Sequence, residues 1–312
     1  AGYLSSVRGS GSLAQLPRRA QQLVDPLQSG LLDFSKATMP AMPQVVPAAE
    51  LAARQLPAYL GESGFDPLGL TVLREALADR YTARGLPTTA DQVMVTVGAQ
   101  HAIALIARTI MGRGDRALVE NPTYPHALEA LKMAGARLVP VSVTTDDGWD
   151  DLALEQGIQR SSPAIAYLMP DNHNPTGRSM PVEQRERVVA LAAQHGTTLV
   201  IDETMAELGL DGGAQPLPFA VHGPAILVGS VGKTVWGGLR LGWIRADRTI
   251  IQRLARARMA FDLGTPIVEQ LIVLHLLREL DTIIASRRDY LRAGRDRLVG
   301  MLGKAIPDWQ VP

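Results

Sequence analysis

The sequence predicts an α/β protein, a three-layer sandwich with helices on both faces of a mostly parallel seven-stranded sheet whose last strand is antiparallel. Three observations predict it. Seven short runs rich in Val, Ile and Leu recur between residues 93 and 246. Amphipathic stretches of helical period fill several of the gaps. The last two runs are joined by ten residues with no helical pattern. A parallel crossover needs more chain than that, so the final strand should run against its neighbour.

Residues 1–58 carry little pattern. Pro40, Pro43 and Pro47 break them into extended pieces and short helices, as expected of an N-terminal arm or linker. The main domain is expected over residues 59–262. Its first helix is Thr71–Arg84, with Val72, Leu73, Ala76, Leu77 and Tyr81 on one face and Gly85 placed to stop it. The strands are Val93–Val97, Arg116–Glu120, Arg137–Val143, Ala164–Met169, Thr198–Glu203, Ala225–Ser230 and Leu241–Ala246. Helices are expected at His101–Met111, Ala127–Ala134 and Pro181–His195, the last with Pro181 in its first turn and Gly196 at its end. Arg248–Phe261 reads as one further helix, and Gly264-Thr265-Pro266 breaks the chain. Ile267–Leu298 reads as a single long helix. Residues 306–312 look like the entry to another strand. Residues 263–312 are therefore expected to be an interdomain helix and the start of a truncated C-terminal small domain.

Composition excludes several classes. Apolar content of 46% and charged content of 20% are those of a globular protein. A formal net charge of zero gives no basic surface for nucleic acid. No apolar run reaches the length of a membrane span, and the start lacks the apolar core of a signal peptide. Absence of cysteine excludes disulfides and thiolate metal sites and is compatible with a cytoplasmic setting.

The chain has only four lysines against 27 arginines. One of them, Lys233, lies in a glycine-rich loop running from Gly229 to Trp243. Gly232-Lys233-Thr234 copies the end of a nucleotide-binding P-loop. However, Leu227 stands where that motif needs its first glycine. Gly237 and Gly238 also interrupt the helix that should follow. The other chemistry such a loop suits is an imine between the lysine and a phosphate-bearing aldehyde, pyridoxal phosphate (PLP). That needs a positioned neutral amine, phosphate donors, a carboxylate for the pyridine nitrogen and an aromatic face.

Four further motifs lie near strand ends, where open α/β sheets place their ligands. Gly98-Ala99-Gln100 opens a helix whose free amides suit a phosphate, although alone it reads as an ordinary strand-to-helix turn. Asn121-Pro122-Thr123-Tyr124-Pro125 would present Tyr124 as a flat face; alone it reads as a surface loop. In Asp171–Gly177, Asn174 precedes a proline and its amide can reach a ligand oxygen. His173 has no second histidine at ligand spacing, so no metal site is expected. Asp202 ends the apolar strand Thr198–Ile201, where a carboxylate is costly without a positive partner. A loop-capping role fits Asp202 equally well when it is taken alone.

Taken together and in order, these segments resemble a known family. Residues from about 59 to 262 are similar to fold-type-I PLP enzymes of the class I/II aminotransferase group, with the aspartate aminotransferase-like fold. The likeness is strongest to the aminotransferase-like domain of MocR-type regulators of the GntR family. It is carried by Pro67–Gly69, Thr96–His101, Glu120–Tyr124, Met169–Gly177 and Lys233–Gly242.

The resemblance implies that Lys233 forms the internal aldimine. Ser230 and Arg240 would hold the phosphate together with the amides of Ala99 and Gln100. Tyr124 would stack on the pyridine, Asn174 would bond its phenolic oxygen, and Asp202 would keep the ring nitrogen protonated. A cationic neighbourhood is expected to lower the pKa of Lys233. A homodimer is implied, as are an amino acid or amine and a 2-oxo acid as partners.

The chain departs from the family pattern in places. Glu203, Thr204, Met205 and Ala206 follow Asp202, where the family carries a tyrosine. Gly232 replaces a common serine, and Phe65 lies near where a partner-subunit tyrosine often reaches the phosphate. The arginine that binds the substrate carboxylate in family transaminases lies farther beyond the lysine than this sequence extends. Residues 1–58 hold no recognition helix, so contact with nucleic acid would need a DNA-binding domain absent from this chain.

The expected function is a PLP-dependent aminotransferase. The alternatives are an effector-sensing domain of a MocR/GntR-type transcriptional regulator, with little or no turnover, and a PLP lyase or decarboxylase on the same fold.

Overall fold

The computed structural model describes residues 4–7, 11–14, 37–212 and 215–309. Leu4–Val7 (β1) and Gly11–Ala14 (β2) pair antiparallel as a hairpin, with Leu4 opposite Ala14. The remaining strands build one sheet. They are Val93–Thr96 (β3), Arg116–Asn121 (β4), Arg137–Thr144 (β5), Gly148–Trp149 (β6), Ile165–Leu168 (β7), Thr198–Asp202 (β8), Ile226–Ser230 (β9) and Gly242–Arg245 (β10). Their order across the sheet is β3-β10-β9-β8-β7-β4-β5-β6.

The seven strands anticipated from sequence are all present, and an eighth adds to them. β6 holds only two residues, after the turn that follows β5, and pairs antiparallel with β5. A run that short carries no periodicity to detect. β10 pairs antiparallel with both β9 and β3, in agreement with the helix-free connection that precedes it. The other neighbouring pairs from β9 to β5 are parallel. β3, β7 and β10 are buried along their whole length, as a sheet covered on both faces requires.

Two apolar layers flank the sheet. On one face lie Val45–Gln55 (α1), Thr71–Ala83 (α2), Asp151–Ser161 (α5), Val182–His195 (α6), Ile267–Leu277 (α8) and Leu280–Ala305 (α9). On the other lie Ala99–Ile110 (α3), Pro125–Met133 (α4) and Arg248–Arg258 (α7). The split follows strand alternation: Ile201 and Leu227 join the first layer, Val200 and Val228 the second. α1 falls within residues 1–58 and buries Ala48 and Ala52 against α8. Much of the expected N-terminal arm lies outside the described residues.

Two expectations near the C-terminal end are corrected. The single helix over Ile267–Leu298 is two helices, because the chain leaves helical geometry at Glu279 (φ −115°, ψ 12°). Apolar spacing continues on both sides of the break, so periodicity does not reveal it. Residues 306–309 turn rather than extend, with the Trp309 amide donating to the Ile306 carbonyl at 3.1 Å. Residues 310–312 lie outside the described residues.

Candidate active site

The candidate residues gather at the carboxyl ends of the parallel strands. Gly98, at φ +81°, turns the chain from β3 into α3, so Ala99 and Gln100 occupy the helix's first turn. Amides there have no helical acceptor and face outward as anion donors. Gly242 of β10 abuts this terminus: a Cβ on it would sit 2.7 Å from the Gly98 carbonyl carbon and 2.8 Å from the Ala99 nitrogen. A Cβ on Gly98 would meet Arg240 Nη2 at 2.9 Å. Arg240 itself adopts φ +47° and lies exposed, 3.4 Å from the Val97 carbonyl. Ser230, opposite Gly242 in the ladder, donates its hydroxyl to the Leu241 carbonyl at 3.0 Å and accepts from the Gly232 amide at 2.9 Å. The Gln100 side chain donates to the His126 carbonyl at 2.8 Å, while its Oε1 is buried with no hydrogen-bond partner.

Asp202 ends β8 almost fully buried. Its carboxylate accepts from the Tyr167 hydroxyl at 2.7 Å and from the Thr204 amide at 3.0 Å. Burial, reinforced by Asp202, holds the Tyr167 hydroxyl well above its ordinary value, so Tyr167 is a fixed donor. Burial pushes the Lys233 amine below its ordinary value, and the Asp202 carboxylate opposes that shift. The expected cationic cause is thus corrected to desolvation. Burial also raises the Tyr124 hydroxyl; Asp202 raises it further and Arg240 lowers it. The Asp202 carboxylate therefore acts on both Lys233 and Tyr124, and Arg240 acts on Tyr124. Asn174 enters from the loop after β7, the strand beside β8, at a peptide that is cis to Pro175.

Several residues in the site's framework escaped the sequence reading. Tyr167 is the donor to Asp202; a hydroxyl inside the apolar run Ile165–Leu168 was the available signal, since such a group needs a partner. Arg287 of α9, buried, binds the carbonyls of Thr234 at 3.1 Å and Val235 at 2.8 Å, and so pins the chain just after Lys233. No local pattern marks an arginine that acts from 54 residues away.

The donor set matches the chemistry of a phosphorylated pyridine aldehyde. Helix-terminal amides, a guanidinium and a hydroxyl suit the phosphate, a buried carboxylate suits a ring nitrogen, and a deprotonation-prone amine suits the aldehyde. Gly242 leaves no room for a Cβ against the Gly98–Ala99 backbone, and the positive φ of Gly98 favours glycine at the helix entry.

The chain belongs to the class I and II aminotransferase family, whose model matches residues 26–312. Among its relatives, the 2-aminoadipate transaminase of Thermus thermophilus is 31% identical over 80% of this chain and 64% of its own length. The HTH-type transcriptional regulator NorG of Staphylococcus aureus is 28% identical over 78% of this chain and 56% of its own. The chain thus spans between 56% and 64% of the length of these relatives. A similar solved structure is LysN, the alpha-aminoadipate aminotransferase of Thermus thermophilus, complexed with N-(5'-phosphopyridoxyl)-L-leucine. It superposes with a TM-score of 0.76 at 29% identity, covering 86% of this chain and 70% of that one.

Proposed function

We propose that this chain is the cofactor-binding part of a PLP-dependent aminotransferase that moves an amino group between an amino acid and a 2-oxo acid. The observation that carries the reading is the effect of the Asp202 carboxylate on the Lys233 amine, at the same end of the sheet as Gly98, Arg240 and Gly242. Pyridoxal phosphate, when bound, supplies an aldehyde that takes up the amino group and a ring that stores an electron pair.

The chain's residues supply the rest. Ala99 and Gln100 amides and Arg240 would hold the phosphate, and Ser230 would join them by turning its hydroxyl from the Leu241 carbonyl. Tyr124 would stack on the ring and Asn174 would bond the phenolic oxygen. Asp202, held as an acceptor by Tyr167 and Thr204, keeps the ring nitrogen protonated. Lys233, its amine shifted by burial below its ordinary value, would hold the cofactor and would carry the α-proton of the substrate on Nζ.

A second reading is favoured by the likeness to NorG: the same site would sense an amino compound for a regulator, without turnover. A homodimer and a cytoplasmic setting are part of the proposal. Among the described residues, no helix is long and apolar enough to cross a membrane.

The test is to add pyridoxal phosphate and follow visible absorbance, then supply amino donors with a 2-oxo acid. A lysine-dependent band with 2-oxo acid product supports the transaminase. A band without product supports the sensor, and release of product without an acceptor supports a lyase. Absence of a band overturns all three.

A further inference from the structure

We propose that the buried pair Glu120 and His173 is a positioning device that sets Tyr124 and Asn174 together; this rests on the cofactor reading above. Neither residue contacts the proposed cofactor, and the described activity does not otherwise use them. Both side chains are fully buried.

Glu120 is the last residue but one of β4 and gathers donors from three other segments. Its Oε1 accepts from the Trp149 indole of β6 at 2.7 Å, and both oxygens accept from the Met169 amide after β7, at 3.1 and 3.0 Å. Its Oε2 also receives the Thr123 hydroxyl at 3.4 Å and lies 3.3 Å from His173 Nε2. That last approach is off the hydrogen-bonding line, so it is a close contact rather than an aligned hydrogen bond. The imidazole is fixed from two more sides. Nδ1 lies 2.8 Å from the Thr176 hydroxyl, and the ring meets Trp149 edge-on at 5.4 Å.

The sequence positions of these partners are what give the arrangement meaning. Thr123 immediately precedes Tyr124, and His173 immediately precedes Asn174. One carboxylate therefore grips two separate loops, each one residue short of a side chain assigned to the cofactor. His173 also closes its own turn, its amide donating to the Arg178 carbonyl at 2.8 Å and its carbonyl accepting from the Gly177 amide at 2.6 Å. Burying a carboxylate is costly unless donors satisfy it, and Trp149, Met169 and Thr123 do so for Glu120. An apolar cluster would hold the strands as well; a carboxylate and an imidazole fix direction too. The pair therefore sets the separation and tilt of the aromatic face relative to the amide.

The test uses the full chain loaded with pyridoxal phosphate, in H173Q, H173A, E120Q and the double variant E120Q/H173Q. Ile158→Ala is the control, a buried core change on α5. The readouts are thermal stability, cofactor affinity and the circular dichroism induced in the bound cofactor's visible band, which reports ring orientation. H173A and E120Q should each weaken cofactor binding roughly tenfold, by misplacing Tyr124 and Asn174, and diminish the induced signal. H173Q should recover part of it. The double variant should lose less than the product of the two single effects. Ile158→Ala should lower stability and leave the induced signal unchanged.

A structural role alone would give the opposite: H173A and E120Q lose stability like the control, with unaltered affinity and induced signal, and the proposal falls. If the unmodified chain takes up no cofactor, the cofactor reading fails instead. The pair is then judged on the cofactor-free chain by amide NMR. Coupled shifts at both Tyr124 and Asn174 in each single variant uphold the grip on two loops, and shifts confined to one loop refute it.

Discussion

Asp202 and Glu203 are consecutive acids at the end of β8, but strand alternation turns them to opposite faces of the sheet. Asp202 faces the layer of α3, α4 and α7 and has two aligned donors, Tyr167 and Thr204. Glu203 faces the layer of α2 and α9, in a small cavity lined by Arg80, Tyr81, Arg84, Glu207 and Trp243. One of its oxygens accepts from the Phe219 amide at 2.7 Å, and the other is buried with no hydrogen-bond partner. Burial raises its carboxyl to about 7. The same functional group, one residue apart, is a held acceptor on one side and a proton store on the other. The surroundings, and not the residue type, decide what a buried acid does.

If the front face serves the cofactor and the back face serves stability, variants should separate the two. Lys233→Ala should break the front face outright: the visible band of bound cofactor disappears while the unfolding temperature stays within a few degrees. Asp202→Asn keeps the hydrogen bond from Tyr167 but cannot hold a ring proton. Turnover should fall about a thousandfold with cofactor still bound, as steady-state assays with reported cofactor content would show.

Arg287→Leu tests the link between the faces, since it removes a donor from the carbonyls of Thr234, Val235 and Pro40 and leaves only the Met42 amide on Val235. Urea unfolding should register a loss of about 3 kcal/mol, accompanied by weaker cofactor binding. Glu203→Gln probes the back face alone. In the native chain the folded state keeps a proton that the unfolded chain releases above 4.5. Stability present at acid pH is therefore lost as pH rises from 4.5 through about 7, on the order of 3 kcal/mol. Urea titrations at several pH values should show that slope in the parent and a nearly flat line in the variant, with cofactor affinity equal in both. The smallest effect is expected from Tyr167→Phe: roughly a tenfold fall in turnover, since Thr204 still holds Asp202. An equal loss in Glu203→Gln and Asp202→Asn would erase the division between faces.

Most of the fold was legible because its strands are apolar runs and its crossovers are periodic. The direction of β10 followed from the length of a connection. What stayed hidden depends on distance. Arg287 and Tyr167 gain their meaning from partners far away in the chain, and a sequence without a fold does not pair them. The β6 strand and the break at Glu279 are too short to disturb any pattern. The candidate site was legible as a set of residues, since each motif closes a strand. The physical cause at Lys233 was not, because burial is a property of the surroundings and the motif displays only nearby charges.

The place of β10 bears on how the molecule is made. Among the described residues β3 pairs with no strand but β10, so Thr96 waits for Gly242 across roughly 150 residues of intervening chain, a long closure by the standard of single domains. The phosphate cradle straddles that seam: Gly98 and Ala99 come from its early side, Arg240 and Gly242 from its late side. During synthesis, α3 emerges well before the residues that complete its terminus, and the helix end meets water until β10 is threaded between β3 and β9. The cradle is thus among the last parts of the sheet to be assembled. Nascent chains halted before Gly242 should gain nothing from pyridoxal phosphate, and chains extended past it should begin to be stabilised by it.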